Sequence, residues 1–273
     1  MITLQNGLEL SADSYQESGI SKGISRGVCF SYRGKNITGE GLGIGVPVIK
    51  QGGFTYFSSC SYTVDRQGNR LMKKFLIDSM QVWYFLGMRS LFFTRLFEKA
   101  SNLYMKNGIL QKIFMRPGIF DFLLRITGFK TVFEPAGILA TAYVTYFFSG
   151  QTIQIKGRIE KEKGFLCWIY ILNELSAEFL NGVAETGIEK SLPSGWEKFN
   201  GRAYFYNLET GITFLVENFK SLQYADVCTY WGRERSENLN WAGFEFEADC
   251  NDLENVFDFS YEIESGKRQS KYE

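Results

Sequence analysis

The chain contains no histidine among its 273 residues. That absence removes the Ser-His-Asp and Cys-His nucleophile pairs, the H-E-x-x-H zinc site and every proton transfer through imidazole. An acid or base here must be Asp, Glu, Lys, Tyr or Cys. The five cysteines, Cys29, Cys60, Cys167, Cys228 and Cys250, include no CxxC pair. No zinc, haem or iron–sulfur centre is expected, and no cofactor of any other kind. A calcium held by Asp, Glu and backbone oxygens stays open to this composition. An odd cysteine count in a chain of this length reads as reduced thiols packed as small core residues.

Other absences narrow the setting. The longest nearly apolar run, Ala136 to Phe148, falls short of the ~20 residues that a membrane helix needs. The N-terminal Met-Ile-Thr-Leu-Gln-Asn-Gly has no charged segment followed by an apolar one, so it does not read as a signal peptide, and a cytoplasmic location is expected. Neither charge is in surplus: 30 Lys and Arg balance 30 Asp and Glu. Nucleic acid is therefore not expected as a partner, because phosphate neutralisation needs an excess of cations.

What is present is apolar and aromatic material, at 45% and 16% of residues, ample for a core. Its pattern is mostly that of strands and tight turns. Ile2–Gln5 and Leu8–Leu10 flank Asn6-Gly7, a strong short hairpin signal. Val28–Arg33 alternates. Val46–Lys50 and Phe54–Ser58 flank Gln51-Gly52-Gly53, and Ser61–Asp65 and Leu71–Ile77 flank a turn with Gly68 and Asn69. After Lys130, Thr141–Phe148, Thr152–Glu160 and Phe165–Leu172 read as a meander. Glu174–Glu185 fits a short helix or a strand. Ala203–Tyr206 and Ile212–Glu217 make another hairpin, and Ala225–Tyr230, Gly243–Ala248 and Phe257–Ile263 complete the set.

About a dozen hairpin-connected strands without βαβ alternation predict a mainly β protein, a large antiparallel sandwich or barrel. It reads as a single β-rich domain over residues 1–273, with 1–85 and 131–265 as two β halves and 266–273 as a polar tail. A helical insertion lies near residues 88–128, within 86–130. There Phe92, Phe93, Leu96, Phe97, Ala100, Leu103 and Tyr104 recur at helical spacing, which predicts a helix over Leu91–Lys106 packed on a sheet. Between Gly39 and Gly45, glycine occupies every second position. As a strand this tract would present one bare face, for close sheet packing or for a ligand.

Charge is segregated. Leu86–Lys130 holds eight basic and two acidic residues, while Ser236–Ser265 holds nine acidic and no basic ones. The basic segment can be a lid over an acidic site, a peripheral contact with an anionic membrane, or an ordinary helical cover.

The acidic segment carries the candidate site. Read as a strand, Trp241–Asp249 places Phe244 and Phe246 on the core side and Trp241, Glu245 and Glu247 on the other. Same-face neighbours two residues apart lie ~6.5–7 Å apart, within the range that paired carboxylates use in glycoside chemistry. Glu245 and Glu247 are the candidate catalytic pair. Trp241, Trp231, Arg233, Arg235, Glu234 and Glu40 are candidate ligand-binding residues, with no metal. An outward polar face explains the same pattern without any ligand. The leading expectation is a carbohydrate-binding or carbohydrate-active protein. The alternatives are a barrel that holds a hydrophobic small molecule or lipid behind the amphipathic helices, and a structural or partner-binding module.

Overall fold

The computed structural model describes residues 2–12, 22–96, 99, 130–162, 167–185, 188–190, 195–199, 202–221, 227–235, 240–250 and 255–267. Almost all of them are strand. A small sheet holds β1 (Ile2–Thr3), β2 (Leu8–Ser11), β3 (Cys29–Tyr32) and β4 (Lys35–Asn36). A 15-stranded antiparallel sheet takes up the rest. Its first strands are β5 (Gly43–Gln51), β6 (Phe54–Gln67), β7 (Arg70–Phe85), β8 (Met88–Arg89), β9 (Lys130–Ser149) and β10 (Thr152–Lys161). Then come β11 (Cys167–Leu175), β12 (Gly182–Glu185), β13 (Ile188–Lys190), β14 (Gly195–Phe199) and β15 (Ala203–Tyr206). The last are β16 (Ile212–Ser221), β17 (Val227–Arg235), β18 (Asn240–Cys250) and β19 (Val256–Lys267). In space they run β13-β12-β15-β16-β19-β10-β9-β7-β6-β5-β11-β18-β17-β14, with β8 on β7.

Local chemistry sets the hairpins. Asn6 Oδ1 accepts the Leu8 N–H at 3.2 Å, and Gly7 takes φ 84°. Gly52 and Gly53 both have positive φ, which joins Gln51 to Phe54 in a two-residue turn that other residue types rarely allow. Long alternation sets the faces: along β7 buried and half-buried residues alternate from Arg70 to Met80.

The large sheet curls over so that its two halves face each other, a sandwich made by one sheet. Rings cross between strands that share no ladder: Phe244 lies 5.2 Å from Phe205, and Phe246 lies 4.7 Å from Tyr261. Hydrogen bonds cross too. The Tyr261 hydroxyl donates to Asn173 Oδ1 at 2.6 Å, and the Tyr146 hydroxyl donates to the Ile44 carbonyl at 2.8 Å. Leu8, Leu10 and Phe30 of the small sheet join the same core. Strands from both expected halves, β5–β7 and β9–β19, share this large sheet, since β7 pairs with β9 from Arg70↔Phe147 to Tyr84↔Lys130.

Three expectations change. Glu174–Glu185 forms no helix: β11 ends at Leu175, a turn follows and β12 begins at Gly182. The glycine tract is not one strand with a bare face. Gly39, Gly43 and Gly45 have positive φ, and strand begins only at Gly43. A Cβ on Gly41 would stand 2.7 Å from the Glu174 carbonyl oxygen, and one on Gly45 would stand 2.8 Å from the Tyr146 hydroxyl. Close protein packing therefore fills that space. Of the helix expected over Leu91–Lys106, residues 91–96 are helical. Residues 97–98 and 100–129, with Phe97, Ala100 and Tyr104, lie outside the described residues, as does the tail from 268. Phe93 packs on Phe85 at 5.0 Å, whereas Phe92 is 72% exposed and Leu96, expected on the packed stripe, is 48% exposed. Among the described residues no helix is long and apolar enough to cross a membrane.

Candidate functional site

β18 has two sharply different faces. Ala242, Phe244, Phe246 and Ala248 are buried in the core, and Trp241, Gly243, Glu245, Glu247 and Asp249 share the outer side. Residues directly opposite in an antiparallel pair point the same way, so the ladder gives the rest of that side. Glu245 stands between Leu172 of β11 and Tyr230 of β17, and Glu247 between Tyr170 and Cys228. Glu174 is opposite Gly243. Beyond β11, Lys50, Val48 and Val46 of β5 are opposite Trp168, Tyr170 and Leu172.

The centre of this outer side is dry. Ile24 and Leu42 pack over Val46, Val48, Phe57, Tyr170 and Leu172 to make a second apolar cluster, with Phe133 against it. Beside it Glu245 is only 5% exposed, whereas Glu247 and Trp241 are half-buried and Trp168 is 44% exposed. The glycine turn helps to close this region. Arg26, itself buried, donates to the Gly39 and Gly41 carbonyls at 2.9 and 2.7 Å. Glu174 Oε2 accepts the Leu42 N–H at 3.0 Å. Further along, the Tyr170 hydroxyl donates to Glu247 Oε1 at 3.0 Å, and Lys50 Nζ sits 4.5 Å from the Tyr170 ring centre.

Burial sets the electrostatics. It pushes the Glu245 carboxyl up to about 8, opposed by the charge of Lys50 and reinforced by Glu247 and Glu174. It pushes Glu174 up to about 7, against the Leu42 N–H and Arg26. Tyr230 is driven above the ordinary phenol range by burial and then by Glu247. A carboxyl neutral at pH 7 can donate a proton and then, as carboxylate, take one back.

The residues expected to form the site separate into two groups. Glu245, Glu247, Trp241 and Glu234 share the outer side, Glu234 being opposite Trp241. Trp241 stacks on Trp196 at 4.4 Å. Trp231 belongs elsewhere: it is opposite Phe244, 1% exposed, and stacked on Phe199 in the main core at 4.9 Å. Arg233 is opposite Ala242 and takes the core-side parity, and Arg235 ends β17 in register with Asn240. Glu40 lies in the turn that Arg26 clasps.

Lys50, Glu174 and Tyr230 join the site without having been singled out by the sequence pattern. Trp168 and Tyr170 offer a weak signal, two aromatics at strand spacing, but their neighbours come from segments more than 70 residues away.

No known protein family matches the chain, and neither does any curated protein. Among solved structures, a candidate aldose 1-epimerase from Escherichia coli K12 aligns over 96% of this chain and 100% of its own length, with 7% identity and a TM-score of 0.44. The Slr1438 protein of Synechocystis sp. PCC 6803 aligns over 97% of this chain and 93% of its own, with 10% identity and a TM-score of 0.42. Likenesses this distant leave the site to be read from its own residues.

Proposed function

We propose that the outer side of β5, β11, β18 and β17 binds a carbohydrate, and that Glu245 with Glu247 performs acid–base chemistry on it. One observation carries this reading: Glu245 is almost completely buried outside the main core, on a strand face it shares with aromatic rings and further carboxylates. Flat apolar rings suit the C–H faces of a sugar, and the interleaved acids suit its hydroxyls. A carboxyl that holds its proton near neutrality supplies the acid that a histidine would otherwise provide. Glu247, tied to the Tyr170 hydroxyl, is the partner base. The core cavity lined among others by Ile44, Leu180, Phe205, Phe214 and Phe244 does not supply a hydrophobic-ligand site: it measures about 10 Å³, which is room for one water at most. The neutral charge balance keeps nucleic acid out of the proposal, and cysteines that are all reduced favour a reducing, cytoplasmic location.

The test screens glycans and sugar phosphates for binding and turnover with the wild type, Glu245→Gln and Glu247→Gln. The proposal expects turnover to fall at least 100-fold in Glu245→Gln while binding persists. Unchanged turnover in both variants removes the pair as catalysts. Absence of binding to every glycan removes the carbohydrate reading.

A further inference from the structure

Cys167 opens β11 and Cys250 closes β18, and the two are direct partners in the antiparallel ladder. Direct partners have Cα atoms about 4.5–5.5 Å apart with side chains on one side, and a disulfide needs about 4.4–6.8 Å. Both residues are reduced and take the core parity, with 3% and 0% exposure. They lie close enough to interact: a hydrogen bond from Cys250 holds the Cys167 thiol below its ordinary value, against burial, and the Lys161 charge adds to the lowering. Lys161 is itself buried, at the end of β10. The sequence disguises this arrangement, because 82 residues separate the two cysteines.

We propose that Cys167 and Cys250 form a reversible dithiol–disulfide site, oxidised by a small hydroperoxide. The Cys167 sulfur, as thiolate, attacks one peroxide oxygen. An S–O bond forms, the O–O bond breaks, and the departing oxygen leaves as water or alcohol after taking a proton. The Cys250 sulfur then attacks the resulting sulfenic acid. An S–S bond forms, the S–O bond breaks, and the hydroxyl leaves as water with the Cys250 proton. Two thiols lose two electrons in all, and one peroxide gains them. Burial makes the pair slower to react than an exposed thiol and selects a small oxidant, or a brief opening of the strand ends. The bond pins the end of the β11–β18 pair at Trp168 and Asp249, which lie next in sequence and face the outer side. A redox change is thus coupled to the stiffness of the strands that carry Tyr170, Glu174, Glu245 and Glu247.

The experiment treats the full-length chain with hydrogen peroxide, blocks residual thiols with an alkylating agent, and maps the peptides by mass spectrometry without reduction. The expected result is a Cys167–Cys250 linked peptide, a loss of two hydrogen masses from the intact protein, and full reversal by dithiothreitol. The oxidised protein melts several degrees higher, because the link closes a long loop in the unfolded chain. Cys167→Ser and Cys250→Ser each abolish the link, and Cys60→Ser and Cys228→Ser retain it. Linkage of either cysteine to another partner overturns the proposal. So does full alkylation of both thiols, on unfolding, after prolonged exposure to peroxide. Neither result bears on carbohydrate binding, which the glycan screen tests separately.

Discussion

Replacing Glu245 by glutamine is expected to stabilise the protein at neutral and alkaline pH. The carboxyl is pushed from 4.5 to about 8 in the folded chain, and burial is the main cause. Between those values the folded state keeps a proton that the unfolded state has released. Stability therefore falls as pH rises through this window, and levels off once the folded group has ionised too. Every pH unit inside the window costs the folded state about 1.36 kcal/mol. Relative to a side chain that never ionises, Glu245 then costs the fold almost nothing near pH 4, about 3 kcal/mol at pH 7 and about 5 kcal/mol at pH 9. Glutamine has nearly the same shape and no charge to desolvate.

The assay is urea unfolding of wild type and Glu245→Gln at a series of pH values from 5 to 9. The two should be close at pH 5 and diverge steadily above it, with the variant the more stable. Lys50 is the competing influence, since its charge draws the carboxyl toward ionisation. Were that attraction dominant, the wild type would gain on the variant as pH rises. Parallel curves, or divergence of that opposite sign, would refute the argument that burial governs this acid. The same substitution is predicted to remove turnover, so one side chain would be a burden on stability and a requirement for activity. That combination is common where a group is held for chemistry rather than for folding.

Two further substitutions test the packing around the site. Asn173→Ala removes the acceptor shared by the Gly45 N–H at 3.1 Å and the Tyr261 hydroxyl at 2.6 Å. It should cost about 2–4 kcal/mol in urea unfolding by taking one acceptor from two buried donors. Gly157→Ala would place a Cβ 2.0 Å from the Phe259 ring and should cost about 1–3 kcal/mol. Adding Phe259→Leu should recover part of that loss, and a strictly additive double mutant would show that the two positions do not compete for space.

The parts of the fold that are legible in the sequence are those fixed by neighbours in the chain. Asn6-Gly7 and Gly52-Gly53 specify turns through backbone freedom that few other residues have, and both turns form where expected. The period of two in Trp241–Asp249 likewise assigns Phe244 and Phe246 to the core. Where a partner from far along the chain decides, the pattern is silent or misleading. Tyr230 and Trp231 are adjacent aromatics, and only the register that sets Trp231 against Phe244 sends the larger ring inward. The regular glycines from 39 to 45 resemble a strand. Their actual shape is imposed by Glu174, Asn173 and Tyr146, all at least 100 residues away.

The same distinction explains why the candidate site is only half legible. Alternation predicts which way a side chain points and says nothing of what it meets there. On the outer side of β18, Glu245 and Asp249 have the same parity, yet one is buried and the other exposed. The difference is position along the ladder. Glu245 is in register with Leu172, which packs under Ile24 and Leu42, whereas Asp249 is in register with Trp168 at the exposed end of β11. Glu245 thus stands next to Leu172, a member of the apolar cluster that Ile24 and Leu42 complete from more than 200 residues away, and burial is the main cause of its raised affinity for its proton. An acid whose chemistry depends on apolar residues so distant in sequence cannot be recognised from the acids beside it. A row of carboxylates or a run of negative charge is therefore a poor guide to which member keeps its proton near neutrality. The better guide is the apolar packing that the fold sets beside one of them.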